Sequence, residues 1–152
     1  MRMNNRLAET GGGILPTFCQ VITLYNKYFD DEAGETRWRR TVLENCCYRA
    51  VKAEAAEDGA VRQTDTYEAF IAKNDAFLPE KKWTARPDKT KHFTLKTGDL
   101  IFLGETAFQI DGQSGMRANG FINKYKPDCF TIKSVTDNTT VALAAHYYVS
   151  GV

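Results

Sequence analysis

The 152-residue sequence has few of the residues that build common catalytic and metal sites. It contains only two histidines and four cysteines, and no two cysteines have the close spacing that structural zinc sites use. Pro16 and Gln20 also argue against a signal-peptide core. We therefore expect the cysteines to be reduced thiols rather than a disulfide framework; they are Cys19, Cys46, Cys47 and Cys129. We therefore predict neither a metal nor any other cofactor.

Long apolar runs and an excess of one charge are also missing. No stretch approaches the roughly 18 apolar residues that a membrane span needs, because Pro16 and Gln20 interrupt the apolar segment at 14–25. The 20 basic residues nearly balance the 19 acidic ones, which leaves a formal net charge of +1. No overall field draws the protein to a membrane or to nucleic acid, so any DNA contact must be local.

What the sequence does contain is a series of β-like segments separated by turn residues. Residues 19–28 and 37–42 are rich in β-branched and aromatic side chains, and the turn residues of 30–34 separate them, so we predict a hairpin. Residues 46–56 have two possible structures: the β-like pattern continues into this segment, but its alanines favour a helix. Both alternatives remain open. The further predicted strands are 66–72, 99–103, 107–110, 121–125, 130–135 and 141–149.

Short strands with turns between them are typical of an all-β, mainly antiparallel fold, either a small barrel or a sandwich. The length is that of one domain, which we place at 18–152. Its predicted shared core is Ile22, Leu24, Val42, Ile101, Ile110, Ile132 and Val149.

Two segments lack a periodic apolar face. Residues 1–17 are predicted to be a flexible N-terminal arm, and 73–91 a long excursion from the domain that becomes ordered on binding a partner. Aromatic residues are interleaved with cations in this excursion, a pattern that suits a phosphate backbone or a protein partner. The candidate DNA-channel or partner contacts are Lys81, Lys82, Arg86, Lys89 and Lys91.

A cysteine-dependent enzyme is the alternative from another functional class. It needs a thiol activated by His92 or His146, and no sequence motif joins either histidine to a cysteine. We therefore expect a protein that is not an enzyme.

Several segments resemble an uncharacterised protein family encoded by phages and prophages of Gram-positive bacteria. The similarity lies in ITLYNKY at 22–28, RWRRTV at 37–42, FTLKTGDLI at 93–101, TIKSVTDN at 131–138 and HYYVSG at 146–151. Phe93 and Tyr147 stand where that family tends to carry tryptophan. The order of these motifs is also similar to phage head-to-tail joining proteins, which are small β-barrels of the head-completion or stopper type.

The resemblance implies a structural protein of the virion, made in the cytoplasm of the host bacterium. Such a protein would form a homo-oligomeric ring at the neck as a head-to-tail connector. It would contact neighbouring connector or tail proteins and, non-specifically, the packaged DNA, but no membrane. A tail terminator or another minor capsid or tail protein is the alternative within the virion.

Overall fold

Six antiparallel strands close into a barrel. The structure, a computed structural model, describes residues 18–57, 59–111, 117–141 and 143–152, with the backbone alone for 52–57 and 60–64. The order around the barrel is β1-β2-β3-β6-β5-β4, and β4 pairs with β1 to close it. Within the described residues the elements are β1 (Gln20–Asp30), β2 (Glu35–Glu57), β3 (Ala60–Ala72), α1 (Glu80–Thr84), β4 (Leu100–Leu103), α2 (Ala118–Tyr125), β5 (Cys129–Asn138) and β6 (His146–Gly151).

The all-β prediction is confirmed, and the barrel is the correct one of the two predicted architectures. The predicted N-terminal arm at 1–17 lies outside the described residues. Because every strand pair is antiparallel, the connections fall at two ends of the barrel. The α1 end carries the β1–β2 turn and the connection 73–99, and the α2 end carries the β2–β3 turn and the connection 104–128.

The predicted first hairpin is confirmed, with β1 paired to β2 from Asp30 and Glu35 onward. Its turn closes through the N–H of Gly34, which donates to the carbonyl of Asp30 at 2.8 Å. Gly34 has a φ of 67°, a conformation that L residues with a side chain adopt at a cost. The Asp30 carboxylate accepts from the N–H of Glu32 at 3.0 Å, as turn aspartates often do.

The barrel interior holds five of the seven predicted core residues, and the other two lie outside it. Ile110 is buried in a second cluster, and Val42 is only partly buried. Val42 lies outside the interior because the side chains of β2 alternate between its two faces, and the neighbouring Leu43 points inward. The confirmed interior residues are Ile22, Leu24, Ile101, Ile132 and Val149.

The second cluster lies on the outer face of the barrel beneath α2. Tyr25 and Leu100, which are register partners, face outward and meet the ring of Phe121 from the helix. The rings of Tyr25 and Phe121 are 5.2 Å apart in an edge arrangement. The predicted strand at 121–125 is therefore wrong: the segment forms α2 because Phe121 and Tyr125, one helical turn apart, both cover the barrel wall.

Three other sequence predictions also need correction. The helix considered for 46–56 is wrong, because β2 continues to Glu57 and its cross-strand pairing with β3 outweighs the helix propensity of its alanines. The strand at 107–110 is absent; this segment is an irregular connection, tied by the Tyr25 hydroxyl to the carbonyl of Phe108 at 2.8 Å. The closing strand begins at His146, after the exposed Leu143.

Candidate functional site

The basic segment, defined here as residues 80–91, is packed onto the α1 end of the barrel. Trp83 of α1 is fully buried, with its ring edge-on to Tyr28 of β1 at 5.8 Å. Its indole N–H donates to the carbonyl of His92 at 3.2 Å. Phe77 and Phe93, which flank the segment, form a parallel bridge. The sequence predicted an excursion without packing of its own, and the structure instead shows an anchored segment.

Lys89 differs from the other predicted contact residues because its ammonium group is used within the subunit. Its Nζ donates to the carbonyls of Arg86 at 2.7 Å and Thr84 at 3.3 Å, at the end of α1. The same Nζ lies 5.3 Å from the ring centres of both Tyr28 and Trp83. These contacts hold α1 against the barrel, so Lys89 is a positioning residue for the segment rather than an outward cation.

The other four predicted contacts, Lys81, Lys82, Arg86 and Lys91, are exposed. The segment also has the exposed carboxylates of Glu80 and Asp88. Thr90 donates two hydrogen bonds to Asp88, and these lower the pKa of that carboxyl. Four outward cations against two anions leave a local positive surface, although the whole chain is almost neutral.

A buried carboxylate fixes the loop that follows the basic segment. Asp99 is fully buried and accepts hydrogen bonds from the Asn26 amide at 2.7 Å, the Lys27 N–H at 2.9 Å and the Lys96 ammonium. Burial raises the pKa of the Asp99 carboxyl, although Lys96 and the other donors oppose the rise. The preceding Gly98 has a φ of 97°. The glycine-aspartate motif in the sequence is therefore a structural joint between β1 and the start of β4.

A two-stranded ribbon leaves the barrel at the α2 end. β3 pairs with β6 only from Tyr67 onward, and β2 pairs with β1 only as far as Cys46. Beyond these points β2 and β3 continue together, from Val51 opposite Thr66 to Glu57 opposite Ala60. These seven residue pairs extend roughly 20 Å at the usual rise of a strand. In the described pairing, both outer edges of the ribbon lack a neighbouring strand.

Comparison with known proteins gives one match. Residues 18–152 match a family of unknown function, DUF6751. The chain belongs to this family. It matches no curated protein and no solved structure significantly. The DUF6751 match covers the barrel, the basic segment and the ribbon, so all three are parts of the family's domain.

Within the DUF6751 domain, the two buried cysteines lack the lowered pKa of an activated thiol. Cys46 and Cys129 are buried, and burial raises the pKa of their thiols to about 12 and about 11. The nearest acceptor of Cys46 is the carbonyl of Glu44 at 3.4 Å, while the ring of His146 contacts Asn138. Buried thiols with raised pKa values are poor nucleophiles.

The described part of this DUF6751 chain contains no cluster of three or more metal-ligating side chains, and no helix in it has the length and apolar character to span a membrane.

The sequence prediction located the basic segment but missed the other functional candidate, the ribbon. Its signal was present in the Asp58-Gly59 turn, which lies midway between two segments that pair as strands. The alanine-rich composition of 53–56 hid it, because that composition is also typical of a helix.

Proposed function

We propose that this protein is a structural subunit of a bacteriophage particle, in which copies join as a ring at the head-to-tail junction. The observation that carries the proposal is the ribbon, which projects beyond the barrel with both edges open. A two-stranded hairpin is marginally stable in water on its own. A neighbouring subunit would pair with or cover these edges and so stabilise the ribbon.

The two ends of the subunit carry different features, and this difference supports a ring rather than a symmetric pair. The ribbon leaves at the α2 end, whereas the basic segment lies at the α1 end. A contact between two different surfaces of identical subunits repeats from copy to copy and closes as a ring when the rotation allows it. A ribbon that reaches from each subunit to the next makes a contact of this kind.

The basic segment supports a position near packaged DNA. Its four outward cations, Lys81, Lys82, Arg86 and Lys91, are held in place by the anchored Trp83. In a ring these cations would repeat around the channel and contact phosphates without reading sequence. The motif resemblance to phage proteins supports the same location.

The test compares the mass of the full chain with that of a ribbon-shortened variant, in which Ala53 is joined to Thr64 through an Asn-Gly turn. We expect sedimentation velocity and electron microscopy to give a ring for the full chain and a monomer for the variant. The variant should still unfold cooperatively, because the shortened part lies beyond the barrel, and its thermal midpoint should be lower than that of the ring, which is stabilised by its subunit contacts. The matched control, Lys81→Gln with Lys82→Gln, should keep the ring.

A full chain that stays monomeric, alone and with DNA, would refute the ring. A shortened variant that still forms the ring would rule out the ribbon as the contact. The place in the virion has its own test, in which purified particles are searched for the chain by mass spectrometry and by antibody labelling at the neck. Labelling at the tail end of the neck would favour a tail terminator, and absence from particles would refute a virion protein.

A further inference from the structure

Cys19 and Cys47 each lie next to one member of the last register pair of β1 and β2. That pair is Gln20 and Cys46; Cys19 immediately precedes β1, and Cys47 follows Cys46 in β2. Directly opposite residues in antiparallel strands have Cα atoms about 4.5 to 5.5 Å apart. Disulfides use Cα separations of about 4.4 to 6.8 Å. The register therefore places Cys19 beside Cys47, each one residue beyond a pair with this spacing.

Both side chains also lie on the outer face of the barrel. Cys19 is exposed and Cys47 is partly buried, on the opposite face of β2 from the buried Cys46. The ring of Phe18 lies 6.0 Å from the ring of His146, which lies 5.5 Å from Phe70, the register partner of Cys47. The chain before β1 thus crosses the outer face beside Cys47.

We propose that Cys19 and Cys47 form a disulfide site that a small-molecule disulfide oxidises. The thiolate of the exposed Cys19 attacks one sulfur of the reagent, which releases one thiol and leaves a mixed disulfide. The thiolate of Cys47 then attacks the Cys19 sulfur, forms the Cys19–Cys47 bond and releases the second thiol. Two electrons pass to the reagent, and the two cysteine protons end on its thiols.

The bond would fasten the segment before β1 to β2 at the α2 end, close to the base of the ribbon. The remaining cysteines, Cys46 and Cys129, are buried and contact backbone carbonyls. They are therefore expected to stay reduced in the folded protein. This inference is independent of the proposed function, since it concerns thiol chemistry within one subunit.

The experiment treats the reduced full chain with glutathione disulfide and measures the intact mass. We expect the mass to fall by two hydrogens, and fragmentation to place the bond between Cys19 and Cys47. The urea unfolding midpoint should rise on oxidation and return after reduction with dithiothreitol. Cys46→Ala should keep the mass loss, whereas Cys19→Ser and Cys47→Ser should each abolish it.

Equal urea midpoints for reduced wild type and the two serine variants would establish that these variants fold. With that control in place, an unchanged mass, a lasting glutathione adduct on Cys19, a covalent dimer or a bond to Cys46 would each overturn the proposal.

Discussion

Gly151 of β6 passes so close to Thr131 of β5 that a Cβ atom at position 151 would lie 1.7 Å from the Thr131 carbonyl oxygen. The neighbouring Val152 exchanges backbone hydrogen bonds with Thr131 at 2.9 and 3.2 Å, and this pairing holds the two strands together. The glycine at the end of the HYYVSG motif is therefore required by the packing of the barrel wall.

Gly151→Ala should destabilise the protein by about 1 to 3 kcal/mol or more, because the β5–β6 pairing must shift to admit the methyl group. Chemical denaturation measures the loss. Gly120→Ala is the matched control, since a Cβ there meets nothing within 4 Å and the residue lies in α2. That control should be neutral or slightly stabilising, by about 0.5 to 1 kcal/mol. Equal stability of the two variants would contradict the close approach.

Ile132→Ala should lower the free energy of unfolding by about 2 to 5 kcal/mol, because Ile132 is fully buried in the barrel interior. Val42→Ala should cost clearly less, since Val42 faces outward and is partly exposed. Urea titration of both variants compares the two positions. A larger loss at Val42 would show that the alternation of β2 is reversed.

Lys89→Gln should lower the thermal midpoint, whereas Lys81→Gln should leave it unchanged. The Lys89 ammonium donates to two carbonyls at the end of α1 and lies over two rings, contacts worth about 1 to 2 kcal/mol together. Lys81 is exposed, so we do not expect its side chain to hold α1 against the barrel. Scanning calorimetry distinguishes them, and equal midpoints would mean that Lys89 does not anchor the segment.

Replacing Lys81, Lys82, Arg86 and Lys91 with glutamine should weaken binding to double-stranded DNA without changing the thermal midpoint. The affinity should also become less sensitive to salt, by roughly one unit of slope for each lost phosphate contact. A salt series of fluorescence anisotropy titrations with two unrelated DNA sequences measures both effects. An unchanged slope would show that DNA does not contact this surface.

Stability should fall at high pH partly through Cys46. Burial raises the pKa of this thiol from 9.0 to about 12, so the unfolded chain loses the proton first as pH rises. The stabilising contribution is complete below pH 9 and is lost as pH rises towards 12, by at most about 1.4 kcal/mol per pH unit. Cys46→Ala should therefore lose less stability than wild type between pH 9 and 11. Parallel losses in urea titrations would contradict the raised pKa.

Much of the barrel follows from the period-two pattern of the sequence, because β-branched and aromatic residues mark β1, β5 and β6. α2 could not be predicted in this way. Its apolar residues number only a few in eight, and they cover an outer face whose existence depends on the barrel being assembled first.

Of the candidate site, the charged residues could be predicted from the sequence, but the contacts that the fold creates could not. Charge is a property of composition, so the cations of 80–91 were found directly. The inward use of Lys89 depends on Tyr28, which is distant in sequence and is brought close only by the fold. The ribbon likewise depends on where β1 and β6 stop pairing with their neighbours, which no local pattern records.

Asn45 of β2 has a φ of 58°, and the register shifts by one residue between Leu43 and Cys46. As a result Leu43 and Cys46 both point into the barrel, although an unbroken strand would place them on opposite faces. The extra residue shifts the inward–outward alternation of side chains by one position within β2. Among homologous sequences, loss of one residue between Leu43 and Cys46 should therefore remove the irregularity and leave both side chains inside the barrel.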